Sequence, residues 1–257
     1  ALPLRQEDCR ASPTTRHHGG SMTTEPLTKA ARLAIGVAEK RWHVEEADCR
    51  PILRELDDAS FDAVISDWPY GVDIAEWDKA APYEQLPEFL RIARGAVVLF
   101  GAAPRLRVDL ATLNPAPDRV LMWAPAFTLA HTQSSGVFYR YHPIYCWRIP
   151  KKHEGPKHDV LRHNTMGRNE WNHSCTKPEK LMADLAGFAP LGGTILDPYC
   201  GSGSTLVGAL RRGRRGGGIE LDAAHAATSR ARCEAETSLV TMRSVNLGQS
   251  ALFPGTK

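Results

Sequence analysis

The stretch T-I-L-D-P-Y-C-G-S-G-S-T at residues 194–205 constrains the fold more than any other part of this chain. Thr194–Leu196 is a short apolar run, and Asp197–Ser204 is a glycine-containing turn. Thr205–Arg212 reads as a helix stopping at Gly213, Gly217–Leu221 as a second apolar run, and Asp222 to about Glu236 as an Ala-rich helix. Strand, turn, helix, strand, helix implies two parallel strands joined by a crossover, hence an α/β domain with a doubly wound sheet. Gly201 and Gly203 let the backbone turn sharply and approach a ligand, and the helix behind them offers free N–H groups. A dinucleotide fingerprint G-x-G-x-x-G would need glycine where Leu206 stands, and a phosphate-binding P-loop would need Gly-Lys-Ser/Thr, which does not follow. Glu220, seventeen residues past Gly203 at the end of the next strand, is placed to accept hydrogen bonds from ribose hydroxyls.

The rest of the chain fits the same class. A short helix is expected from Thr28 to Lys40 and one or two helical turns over Arg50–Leu56, with Trp42-His43-Val44 as a lead to Asp48. Phe61–Ser66 and Gly95–Gly101 read as buried strands, with a helix around Tyr83–Arg94 between them. Arg119–Trp123 and Pro143–Trp147 are further strand candidates, in which Trp123, Tyr145 and Trp147 are expected in the core. Pro178–Phe188 is an amphipathic helix with Pro at its start and Gly192-Gly193 beyond it. Residues 1–27, polar and aperiodic, are expected to be a disordered leader, with residues 28–257 forming one domain. A chain of 257 residues suits one core on a prior of roughly 100–200 residues per domain.

Composition excludes several classes. No run approaches the ~18 apolar residues of a membrane-spanning helix, so no membrane partner is expected. Six scattered cysteines with no C-x-x-C pair indicate neither a zinc ribbon nor a disulfide scaffold, and a cytoplasmic setting follows. His142 and His173 lack ligand-like neighbours, and no metal is expected. Net charge is only +3, but residues 105–180 carry twelve Lys and Arg against six Asp and Glu, and hold six of the ten histidines. A basic middle segment suits a polyanion, although a solvated charged surface would read the same way.

Phe61–Gly71 reads F-D-A-V-I-S-D-W-P-Y-G, a buried strand entering Asp67-Trp68-Pro69-Tyr70. Pro69 removes a donor and biases Trp68 away from helix, which leaves turn carbonyls free to accept. A carboxylate, free carbonyls and an aromatic face suit a planar group bearing an NH₂, and a nucleobase is the natural guest.

Together, D-W-P-Y-G after a strand and D-P-Y-C-G-S-G-S-T resemble the DNA adenine-N6/cytosine-N4 amino-methyltransferases, whose patterns are D-P-P-Y and D-P-F-x-G-S-G-T-T. Asp48 in A-D-C, Thr176-Lys177-Pro178 and Gly218-Ile219-Glu220 resemble further segments of that family, so residues 44–236 are covered. The catalytic turn precedes the glycine turn, the order of the circularly permuted β-type group and not that of many RNA methyltransferases. Trp68 departs from the pattern by replacing its first Pro.

The resemblance implies a Rossmann-like, circularly permuted methyltransferase fold using S-adenosylmethionine, with double-stranded DNA as partner and a homodimer left open. It implies that Asp67, Trp68, Pro69 and Tyr70 form the catalytic turn. Asp48, Lys177, Asp197, Tyr199, Cys200, Gly201, Ser202, Gly203, Ser204, Thr205 and Glu220 would hold the cofactor, with Lys177 facing its methionine carboxylate. Asp67 favours adenine N6, since cytosine-N4 relatives more often carry Ser there. Cytosine-C5 chemistry has no candidate thiolate, because no Pro-Cys dipeptide occurs. A DNA-recognition insertion is expected around residues 125–176, with Lys151, Lys152, Lys157, Arg162, Arg168 and Trp171 as contacts. Little chain remains for target reading, which implies a short or relaxed recognition site. The rivals are a cytosine-N4 enzyme, an RNA methyltransferase and a non-catalytic nucleic-acid binder that keeps the fold.

Overall fold

A computed structural model describes residues 26–73, 78–125, 139–164 and 176–246. Residues 1–25 of the expected leader, and Arg168 and Trp171 of the expected insertion, therefore lie outside the described residues.

Helix α1 (Lys29–Lys40) starts where the Thr28 side chain accepts from the Ala31 amide at 3.2 Å, and it buries Ala30, Leu33, Gly36 and Val37 along one stripe. Strand β1 (Trp42–Glu46) follows, then α2 (Cys49–Glu55), β2 (Ala63–Ser66), a 3-10 turn at Tyr83–Gln85, α3 (Leu86–Ile92) and β3 (Val97–Phe100). Next come α4 (Leu106–Thr112), β4 (Arg119–Trp123), β5 (His142–Trp147) and β6 (Val160–Leu161). The chain closes with α5 (Glu179–Ala186), β7 (Thr194–Asp197), α6 (Ser204–Arg211), β8 (Arg215–Glu220) and α7 (Ala223–Asn246).

The strands form one sheet in the order β1-β8-β7-β2-β3-β5-β4-β6, parallel except for β5, which runs against both β3 and β4. Side-chain alternation explains the layering. Val64, Val97 and Leu99 face Leu33, Ile52, Leu53 and Phe89 of α1–α3. Ala63, Ile65, Val98 and Phe100 face Leu181, Met182 and Leu185 of α5 and Ala209 of α6. Both faces of the central strands are thus buried, as a parallel sheet requires. Trp123, Tyr145 and Trp147 are buried as expected.

Three features differ from the sequence reading. β1 is a full strand, hidden because Glu45 is charged yet buried, its carboxylate held by Arg32 at 2.9 Å and by His43 at 3.1 Å. β5 belongs to the sheet interior, between β3 and β4, so residues 142–147 of the expected insertion are core structure. α7 continues ten residues past the expected Glu236.

The third glycine missing from the dinucleotide pattern has a counterpart on the neighbouring strand. The Leu206 side chain lies against Gly216 and Gly218 of β8, where a Cβ would stand 3.0 and 3.1 Å from it. Close helix–strand approach is obtained with glycine on the strand and leucine on the helix.

Candidate active site

Four neighbouring strands of one sheet deliver the sequence-predicted residues to a single edge. In sheet order these are Asp48 after β1, Glu220 at the end of β8, the glycine turn after β7 and Asp67 after β2. At the usual strand spacing, three intervals separate the ends of this row by about 14 Å.

Asp48 caps α2 by accepting from the Arg50 amide at 3.0 Å, and its carboxylate also grips the Arg50 guanidinium, which lowers its pKa. Glu220 spans the turn: its carboxylate accepts from the Gly201 amide at 2.8 Å and from the Asp222 amide at 2.8 Å. Gly203 enters α6 at φ 86°, and a Cβ there would lie 2.4 Å from the Ser229 hydroxyl. Only glycine meets both conditions.

Not every side chain of the glycine turn faces outward. Cys200 packs with Val44, Leu206 and Cys233, and burial pushes its thiol well above its ordinary pKa. The Ser202 carbonyl and hydroxyl accept from the buried Arg232 guanidinium at 2.6 and 3.0 Å, and the Ser204 hydroxyl lies 3.4 Å from it. Thr205 is buried too. The turn therefore presents backbone, with Tyr199 and Gly201 only partly covered. The sequence reading missed Arg232, whose other arm pairs with Glu179 at 2.7 Å; Arg211 joins the same cluster through Glu179 and Glu236. One arginine among three in an Ala-rich helix carried no signal for this role.

Asp197 and Ser66 tie the two turns together. The Ser66 hydroxyl donates to Asp197 Oδ1 at 2.7 Å across the β2–β7 ladder, and the Tyr199 amide donates to the same oxygen at 3.1 Å. Complete burial raises the Asp197 carboxyl to about 6 despite these donors.

Asp67 is partly exposed, and both of its oxygens are engaged. The Tyr70 hydroxyl donates to Oδ1 and the Lys177 ammonium to Oδ2; the ammonium also reaches the Tyr70 hydroxyl at 3.0 Å. Lys177, expected to face a cofactor carboxylate, is thus bonded to the Asp67 turn, with its side chain 7% exposed. Trp68 explains how the missing proline is tolerated. Its indole is buried, donates to the Phe100 carbonyl at 2.9 Å and packs edge-on against Tyr83 at 5.9 Å. Tyr83 and Tyr145 in turn donate to the buried Asp109, at 2.5 and 2.7 Å.

The structure does not bring the predicted DNA contacts together. β5 ends at Trp147 opposite Val97, the first residue of β3, so the loop carrying Lys151, Lys152 and Lys157 lies at the edge where the parallel strands begin. That loop is anchored there: the Glu154 amide donates to the Gly187 carbonyl at 3.0 Å, and Arg214 pairs with Glu154 at 2.8 Å. Asp67 sits at the opposite edge. A cleft of about 590 Å³ beside the loop, lined by residues including Asp62, Arg94, Lys152 and His153, is therefore remote from the glycine turn. Arg162 follows β6, which runs parallel to β4, and is exposed at the same edge as Asp67. Four strand spacings, about 19 Å, separate them. Arg211 and Arg214, which could have passed for a DNA patch, are held by internal partners.

Comparison with known proteins gives a consistent outcome. Residues 129–230 match the model of a family described as DNA methylase. YubD of Escherichia coli, a presumed methylase by name, is 27% identical over 193 residues, spanning 68% of this chain and 83% of that protein. Among solved structures, M1.HpyAVI in complex with SAM superposes with a TM-score of 0.58 at 17% identity, covering 74% of this chain and 98% of the other. TTHA0409 of Thermus thermophilus, complexed with S-adenosyl-L-methionine, gives 0.54 at 19% identity, with 76% and 95% covered. The cytosine-N4-specific PvuII DNA methyltransferase gives 0.59 at 14% identity, with 82% and 94% covered. The fold is the Rossmann-like fold of the DNA methyltransferases.

Proposed function

We propose that this chain, which matches the DNA methylase family over residues 129–230, is an S-adenosylmethionine-dependent DNA amino-methyltransferase acting on adenine N6. One observation carries the reading: the Asp67 turn and the glycine turn leave adjacent parallel strands and are bonded through Ser66 and Asp197. A methyl donor over one turn and a target amino group at the other would then be neighbours, which is the requirement for direct transfer.

The residues present fit S-adenosylmethionine. Each Glu220 carboxylate oxygen accepts one backbone amide and has capacity for a ribose hydroxyl. The left-handed Gly203 and the covered hydroxyls of Ser202 and Ser204 leave the turn as a bare backbone surface on which the amino-acid portion can lie. Lys177 has three N–H groups and uses two within the protein, so one remains for a carboxylate. When bound, S-adenosylmethionine supplies an electrophilic methyl group on a sulfonium.

The exocyclic nitrogen of adenine is a poor nucleophile because its lone pair is delocalised into the ring. Asp67 and the Trp68 carbonyl accept its two hydrogens and localise that lone pair toward the donor, with no covalent intermediate. Asp67 is also placed to hold the proton that the amino group gives up. Tyr70 offers its ring to a base turned out of the duplex. The preference for adenine rests on Asp67 at the position where cytosine-N4 relatives more often carry Ser.

Labelled methyl transfer to duplex DNA followed by nucleoside mass spectrometry tests the proposal. N6-methyladenine is expected. N4-methylcytosine would correct the base but keep the enzyme class; product only on RNA, or none, would overturn it.

A further inference from the structure

Asp78 lies outside the Asp-Trp-Pro-Tyr and glycine-turn motifs, yet its side chain organises the catalytic turn. It is fully buried, and its carboxylate collects three successive backbone amides: Tyr70 at 2.6 Å and Gly71 at 2.9 Å on Oδ1, and Val72 at 3.3 Å on Oδ2. The Asp73 amide closes the loop on the Asp78 carbonyl at 3.0 Å. A buried carboxylate is tolerated only when hydrogen bonds replace its water, and here three amides of the turn supply them.

The arrangement follows from the sequence of the turn. Pro69 has no N–H, so the amides after Trp68 begin at Tyr70. Drawing that amide and the next two inward leaves the Asp67–Pro69 segment to present carbonyls and the Asp67 carboxylate outward. Gly71 makes this possible at φ 69°, and a Cβ there would stand 2.8 Å from the Ala81 amide nitrogen. Tyr70 is gripped at both ends, its amide by Asp78 and its hydroxyl by Asp67.

We infer that Asp78 is a positioning residue for methyl transfer: it touches neither base nor cofactor, and it fixes the Tyr70–Val72 backbone so that Asp67 and the Tyr70 ring meet the target amino group in register. The inference rests on the amino-methyltransferase reading above. Its chemistry separates two substitutions. Asparagine at 78 keeps one carbonyl oxygen for Tyr70 and Gly71 but turns an NH₂ toward the Val72 amide; alanine loses all three bonds.

The test measures kcat, KM for duplex DNA and S-adenosylmethionine affinity for wild type, Asp78→Asn and Asp78→Ala, with amide hydrogen exchange at residues 70–72. A misplacement of reacting groups by about 1 Å costs on the order of a hundredfold in rate. The expected result is a kcat about tenfold lower for Asp78→Asn and at least about a hundredfold lower for Asp78→Ala, with cofactor affinity within about twofold of wild type. In Asp78→Asn the Val72 amide should exchange faster while Tyr70 and Gly71 stay protected. If Asp78→Ala does not fold, the rate and exchange pattern of Asp78→Asn decide. Wild-type turnover in Asp78→Asn, or loss of cofactor affinity in parallel with rate, overturns the inference while leaving the enzyme reading intact. Failure of the wild-type protein to methylate DNA overturns both.

Discussion

Lys177 and Asp67, 110 residues apart in sequence, form an ion pair at the base of the Asp-Trp-Pro-Tyr turn, and the same ammonium bonds the Tyr70 hydroxyl at 3.0 Å. A largely buried lysine without its partner, or a carboxylate without its lysine, is costly. Asp67→Ala should abolish transfer while leaving DNA binding nearly intact. Lys177→Met should lower kcat/KM by roughly a hundredfold or more, and Lys177→Arg should restore little, because a planar fork cannot replace a point donor shared between two oxygens. Wild-type rates in Lys177→Met would remove this lysine from the catalytic arrangement.

Gly203→Ala combines a left-handed backbone with a Cβ 2.4 Å from the Ser229 hydroxyl. Trimming the obstacle in Gly203→Ala/Ser229→Ala relieves the contact but not the backbone strain of about 1 kcal/mol or more. S-adenosylmethionine affinity, measured by calorimetry, is expected to fall steeply in the single variant and to recover only partly in the double. Full recovery would mean that the steric contact alone demands glycine.

Arg232→Met should destabilise the fold by about 3–5 kcal/mol, since it leaves Glu179 and the Ser202 carbonyl short of a buried donor. Urea unfolding monitored by tryptophan fluorescence measures the loss. Arg211 remains on Glu179, so Arg211→Met/Arg232→Met should cost more than Arg232→Met alone. Equal costs would show that Arg211 does not compensate.

Asp197 gives stability a pH dependence of defined sign. Its carboxyl titrates near 6 in the folded protein against an ordinary value of 3.8, so the folded state binds the proton more tightly. Stability therefore falls as pH rises from about 4 to about 6 and carries the full penalty above that window. Asp197→Asn keeps an acceptor for Ser66 and the Tyr199 amide and should abolish this contribution. Midpoints of urea unfolding between pH 4 and 7 test it, and an unchanged slope in the variant would assign the titration elsewhere.

DNA affinity should depend on Arg162 and not on the loop after β5. Neutralising Lys151, Lys152 and Lys157 together should leave the salt dependence of binding unchanged, whereas Arg162→Ala should reduce its slope by about one. A large loss from the triple variant would mean that DNA reaches the opposite edge of the sheet.

What could be read from the sequence was whatever is local. The glycine turn, the Asp67 turn and the βαβ pattern announce themselves within a dozen residues each, and Trp123, Tyr145 and Trp147 sit in apolar runs that only a core explains. Charge was the weaker guide. Lysines 151, 152 and 157 lie within a dozen residues of Arg162, but the chain leaves β5 at one edge of the sheet and by Leu161 pairs with the far end of β4 at the other. Asp78 and Arg232 were invisible because their roles consist of backbone groups elsewhere in the chain accepting or donating to them. Glu45 hid a whole strand, since its compensating Arg32 comes from the preceding helix.

The place of β7 in the sheet has a consequence for the order of assembly. Among the described residues β1 pairs with β8 alone, and β2 is flanked on one side by β7, so the first two strands made lack these neighbours until β7 and β8 have emerged. The final strands must enter the middle of the sheet and not extend its rim, which makes the closing contacts long in range and slow to form. A growing chain on the ribosome thus carries the Asp67 turn before the glycine turn that it bonds to, and the two-turn site assembles only once β7 has been made.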